Sequence, residues 1–125
     1  MMKEYALLFR MDVTNEEAQP TPKQMETYMQ QWMSWINEID GNHQVAGGNH
    51  FSRQGRVLKS DKEVIETPYI SDAASVAGYI IVLTENLDEA TEIAGKCPIL
   101  NGQNTSVEIR ETTNMQKMPV YPLSS

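Results

Sequence analysis

GYIIVLTENLDEATEIAGKCP, residues 78–98, decides the architecture. Its first half, "GYIIVLT" (78–84), is apolar at nearly every position, the pattern of a strand buried on both faces. Asn86 and Glu89 then stand at capping-box spacing. Leu87, Ala90, Ile93, Ala94 and Cys97 recur at helical spacing as one buried stripe, and Pro98 ends the helix. A central strand therefore runs straight into an amphipathic helix. The segment just before it, "ETPYISDAASVAGY" (66–79), has no Lys or Arg and small residues through its second half. Pro68 holds it extended. The expectation is that residues 70–77 pass over the sheet's end and that Gly78 starts the strand.

The same grammar holds outward from this unit. "EYALLFRM" (4–11) is rich in apolar and aromatic residues and reads as the first strand. After a polar connector, 12–21, Thr21 and Pro22 form an N-cap with proline at the first helical position. Met25, Met29, Trp32, Ile36 and Ile39 follow at helical spacing, and Gly41 closes the run as a C′ glycine. Trp35 and Tyr28 on one side and Met33 on the other widen this face to roughly 160°, where a helix on one sheet needs about 100°. The excess calls for a second neighbour, such as a partner subunit or the C-terminal tail.

Residues 43–66 hold short strand-like pieces. "HQVAGGNHFS" carries Gly47-Gly48, the mark of a bulge or close backbone approach. "RQGRVL" has a Gln54-Gly55 turn, and "KEVIE" reads as a short return strand. "TSVEIR" (105–110) alternates cleanly, with Val107 and Ile109 on one face and Glu108 and Arg110 on the other. The order β-α-β-β-(β)-β-α-β gives an α+β sandwich, an antiparallel sheet with two helices on one face. The first and central strands are apolar on both faces, yet the helices cover one. Sheet-to-sheet dimerisation is the economical cover for the other.

Composition narrows the partners. The 125-residue chain is one domain long, with formal net charge −7. Ten scattered Lys and Arg in an acidic field exclude a nucleic-acid partner. No apolar run approaches the roughly 20 residues a membrane helix needs, and the N-terminus lacks the apolar core of a signal peptide. The single Cys97 forms no internal disulfide and fits a reducing, cytoplasmic compartment.

The chain resembles the YCII-related proteins, in the branch named for a D-G-P-F motif within the dimeric α/β-barrel superfamily. The resemblance spans roughly residues 3–112 and rests on "YALLFR", "MQQWMSWINEI", "VAGGNHF" and Glu66-Thr67-Pro68-Tyr69 at the signature position. "AGYIIVLTENLDEATEIAGKCPIL" and "SVEIR" follow in the family's order. Thr67 replaces the signature glycine, and Ser71, Ala73 and Ala74 are small or neutral where an acidic and basic stretch is common. The resemblance implies a ferredoxin-like protomer (1–112) and a homodimer. The tail (113–125) lies outside the resemblance; it is Pro-containing and without periodicity, and the expectation is that its Met118, Val120, Tyr121 and Leu123 pack on the wide helix face or on the partner subunit. Some relatives carry a His and Asp as an acid/base pair. Here the Asp position is Cys97, and the first helix has no His.

Candidate chemistry is sparse. On a regular strand His43 and His50 point to opposite faces, and no third ligand stands at characteristic spacing, so no metal site is assigned. His50, after the two glycines, is the better pocket residue. Cys97 lies at a helix C-terminus, where the dipole disfavours thiolate, and reads as core. Arg10 and Arg110 end strands on the helix-free face beside Glu108, where they could clamp a carboxylate or bridge subunits. Tyr69 and Asp72 belong at the rim of a dimer-side pocket. The pocket candidates are thus Arg10, His50, Tyr69, Asp72, Glu108 and Arg110, with no cofactor required. The absent acid/base pair favours a small-molecule-binding accessory protein with a mostly apolar cleft. The alternatives are a cofactor-independent enzyme on an aromatic or lactone-like substrate, and an interaction module linked to transcriptional regulation.

Overall fold

A computed structural model describes residues 2–12 and 21–113. The tail packing expected of Met118, Val120, Tyr121 and Leu123 lies outside them. The elements are β1 (Lys3–Asp12), α1 (Pro22–Gly41), β2 (Val45–His50), β3 (Val57–Leu58), β4 (Val64–Ile65), β5 (Ala74–Thr84), α2 (Leu87–Gly95) and β6 (Ser106–Glu111). A 3-10 turn, Pro98–Asn101, joins α2 to β6. The main sheet has the order β2-β5-β1-β6, every pairing antiparallel. With two helices on one face, this is a ferredoxin-like α+β sandwich.

Strand parity builds the core. Leu7 pairs with Ile80 on one side and Ile109 on the other, and Phe9 pairs with Gly78 and Val107. Tyr5, Leu7, Phe9, Ile80 and Val82 pack with Trp32, Trp35 and Ile39 of α1 and with Ala90 and Ala94 of α2. Phe9 meets the edges of both tryptophans, at centroid distances of 4.9 and 6.0 Å. The indole of Trp35 donates to the Ile93 carbonyl at 3.1 Å, tying α1 to α2.

The caps are local and follow the sequence. Thr21 accepts from the Gln24 backbone, and the Gln24 side chain accepts from the Thr21 N–H, a reciprocal pair. Asn86 caps α2 by accepting from the Glu89 N–H at 2.8 Å. The Glu89 carboxylate departs from the expected box: it takes the Glu85 N–H and the Gln44 amide, linking α2 to the residue before β2.

Four expectations are corrected. The central strand starts at Ala74, not Gly78. Asp72 and Ala73 both adopt left-handed backbone (φ 52° and 67°), closing a two-residue turn in which Ser71 and Ala74 exchange both backbone bonds. No glycine marks that turn, so its sequence hides it. The small residues after it, Ala74 and Ser75, are buried in the strand itself. Second, α1 buries Trp32, Trp35 and Ile39, while Met25, Met29 and Met33 stay exposed. At about 100° per residue the buried arc runs from Trp35 to Trp32, so Met29 and Met33 fall beyond its margin. Leu87 is exposed on α2 for a similar reason, sitting at its first residue. Third, Gly41 is the last helical residue, and His43 takes the left-handed position after it (φ 57°). Fourth, no turn forms at Gln54-Gly55, and "KEVIE" returns on β3 through a reversal at 59–63. Gly55 instead admits the Pro68 ring, which would stand 3.0 Å from any Cβ there.

Gly47-Gly48 does mark a bulge, since the β2–β5 register shifts between Val45 and Gly47. It also marks a close approach. A Cβ on Gly48 would lie 2.7 Å from the Tyr79 carbonyl oxygen, and one on Gly78 would lie 2.7 Å from the Asn49 carbonyl oxygen. The two strands meet backbone to backbone through this glycine pair.

Candidate functional site

Three of the six candidate residues come together. Arg10 on β1 and Arg110 on β6 lie on the helix-free face, because Leu7, Phe9, Val107 and Ile109 take the other. Glu108 stands between them. Arg10 Nη2 donates to Glu108 Oε1 at 2.9 Å, and Arg110 Nη1 donates to Oε2 at 3.2 Å. These bonds, first to Arg10 and then to Arg110, hold the Glu108 carboxyl below the usual carboxylate range. Leu8 pairs with both Glu108 and Tyr79, so the charged group borders an apolar strip of Ala6, Leu8, Tyr79, Ile81 and Leu83 on the same face. Phe51 is exposed, and its ring lies tilted by 49° with its centroid 5.8 Å from that of Tyr79.

The other three lie elsewhere. His50 pairs with Gly78 on β2, and its ring sits 6.4 Å from Trp32, which places it on the helix side. The sheet order leaves it three strand spacings from Arg110, roughly 14 Å, and on the opposite face. Tyr69 is 67% exposed, and its backbone carbonyl accepts from the Ser75 hydroxyl at 2.7 Å. Asp72 reaches the same sheet end as Arg10, but its role there is conformational. It forms the left-handed turn, and its carbonyl accepts from Asn104 Nδ2 at 2.9 Å. Among the described residues no hydrogen bond or ion pair joins the side chains of His50, Tyr69 and Asp72, the ones an acid/base mechanism would draw on.

Two clefts lie on the helix side, and none of the six residues lines them. One, of about 780 Å³, has Met11, Met25, Tyr28 and Ile99 as its apolar wall and Lys23, Gln24 and Gln103 among its polar groups. The other, of about 590 Å³, runs between α1 and the 95–101 segment past Trp35, Cys97 and Pro98. The wide apolar face of α1 was the sequence signal for the first, since Met25 and Tyr28 are surplus to the sheet contact. Burial raises the Tyr28 hydroxyl above its ordinary 10.0, against an opposing hydrogen bond with Trp32.

Cys97 is 3% exposed, and burial pushes its thiol from 9.0 up to about 12. At pH 8 the thiolate fraction is then on the order of 10⁻⁴, so native protein should resist iodoacetamide and react once unfolded in urea. Because the thiol ionises near 9 in the unfolded chain and near 12 in the folded one, its contribution to stability is full below pH 9. It is lost as pH rises toward 12. Cys97→Ala should flatten that part of the pH–stability curve. Rapid stoichiometric labelling of native protein would contradict the assignment.

Among the described residues, no three His, Cys, Asp or Glu side chains gather as a metal site, and no helix is long and apolar enough to cross a membrane. In comparisons with known proteins, the chain matches no family model and no curated sequence. Among the described residues, what defines the chain is its fold, the ferredoxin-like sandwich, together with a sheet face that neither helix covers and that carries a charged margin.

Proposed function

We propose that this chain is a homodimeric small-molecule-binding accessory protein of the YCII-related, D-G-P-F type. Its two sheets pack face to face, with a mostly apolar cleft at their seam. One observation carries the reading: among the described residues, the face opposite α1 and α2 presents Leu8, Tyr79, Ile81 and Leu83 at the sheet's centre with no helix over them. Four strands about 4.8 Å apart and six residues deep present roughly 400 Å² in projection. Two such faces with side-chain relief reach the about 1,000 Å² of a specific interface, so a second copy fits the patch by area. The Arg10–Glu108–Arg110 group lies toward the β6 side of this face and Leu8, Tyr79 and Ile81 lie at its centre, which leaves the centre for an apolar ligand body. The buried Cys97 thiol supports a cytoplasmic setting.

Light scattering at micromolar concentration should give twice the 14.1 kDa protomer mass. Leu8→Glu and Ile81→Glu should each give monomers, since a buried unpaired carboxylate at the seam is costly. A monodisperse wild-type monomer would end the dimer reading.

A further inference from the structure

Glu108 accepts from two arginines on neighbouring strands, one through each carboxylate oxygen. A guanidinium has five N–H donors, and each of these bonds uses one of them. The group keeps a net charge of +1 in a protein whose formal charge is −7. Arg10 and Glu108 are partly exposed, at 32% and 37%, while Arg110 is more open at 58%. The wall beside it is apolar: Leu8 lies opposite Glu108 and next to Tyr79.

A solvated surface pair would need neither the second arginine nor the apolar wall. Two guanidiniums, each giving one N–H to a different oxygen of the same carboxylate, form a paired site of the kind in which arginines take planar anions. Glu108 shows where such an anion sits.

We propose that Arg10 and Arg110 form a binding site for the carboxylate of a small apolar acid, and that Glu108 is an internal stand-in which the ligand's carboxylate displaces. This rests on the helix-free face being the ligand-binding face, and it specifies the ligand's chemical class. The apolar body lies along Leu8 and Tyr79 while its carboxylate takes the donors now held by Glu108. Glu108 keeps the two guanidiniums converged when no ligand is bound and competes with the ligand for them. Removing its charge should therefore strengthen binding.

Benzoate is a suitable probe, with benzamide as its neutral isostere, in calorimetric titrations of the wild type, Glu108→Gln, Arg10→Gln and Arg110→Gln. Glu108→Gln should bind benzoate about tenfold more tightly than the wild type, each arginine variant should lose at least about tenfold, and benzamide should bind none of them. Equal benzoate affinity in the wild type, Glu108→Gln and Arg10→Gln would overturn the proposal. Dissociation of the dimer by Arg10→Gln without a change in benzoate affinity would also overturn it and make the group a subunit bridge. Light scattering on the same samples separates the two readings. A monomer that binds benzoate with this pattern refutes the dimer and keeps the clamp; a dimer indifferent to benzoate does the reverse.

Discussion

Leu7→Ala is expected to lower the unfolding free energy by about 3 kcal/mol, within the range for truncating a fully buried leucine. Leu7 has no exposed surface and sits on β1 between Ile80 and Ile109, beneath both helices. Its neighbours are held by hydrogen-bonded strands on both sides, so the cavity cannot collapse, and the cavity cost adds to the lost transfer energy. A domain of this size has about 5–15 kcal/mol in total, so the change is a large fraction of it. Urea titrations at fixed protein concentration, low enough to hold the chain monomeric, provide the measurement. Leu8→Ala, one residue along and facing away from the helices, should cost about 1 kcal/mol or less under those conditions. Equal losses at the two positions would refute the strand parity on which the core and the charged face both depend.

Gly78→Val is expected to detach β2 from the sheet. A Cβ at position 78 would lie 2.7 Å from the Asn49 carbonyl oxygen and 3.2 Å from the His50 Cα. Both are backbone atoms, so no rotamer change relieves the overlap, and the strands must separate. A loss of about 2–4 kcal/mol is expected, in the range of severe overpacking and lost ladder bonds. Hydrogen exchange reads it directly. Amides on the β2 side, including the Phe51 N–H that bonds the Ala77 carbonyl, should lose protection, while the β1–β6 amides keep theirs. Gly41→Ala is the contrast. Nothing lies within 4 Å of a Cβ there and the residue is helical, so a gain of about 0.5 kcal/mol is expected. Unchanged β2 protection in Gly78→Val would remove the close-approach account of the glycine pair.

The sequence by itself determined what short-range chemistry encodes. Thr21-Pro22 and Asn86 start the helices because a cap needs only an acceptor within three residues of an orphan N–H. The alternation of "TSVEIR" and the parity of "YALLFR" placed Arg10, Glu108 and Arg110 on one face, since a strand's side-chain period is two whatever it pairs with. The element order then led to an α+β sandwich with an antiparallel sheet and two helices on one face. Tertiary structure alone decided the rest. Asp72 and Ala73 adopt left-handed backbone without a glycine to announce it, held by the Ser71–Ala74 bonds and the Asn104 contact from distant sequence. His50 fell to the helix side of the sheet because the Gly47 bulge resets β2's parity relative to its partner. Met29 and Trp35 are both apolar margins of one helical stripe; the sheet and Ile93 cover the tryptophan and leave the methionine out. Periodicity says that a helix has an apolar face, but which part of that face is buried depends on where its neighbours lie.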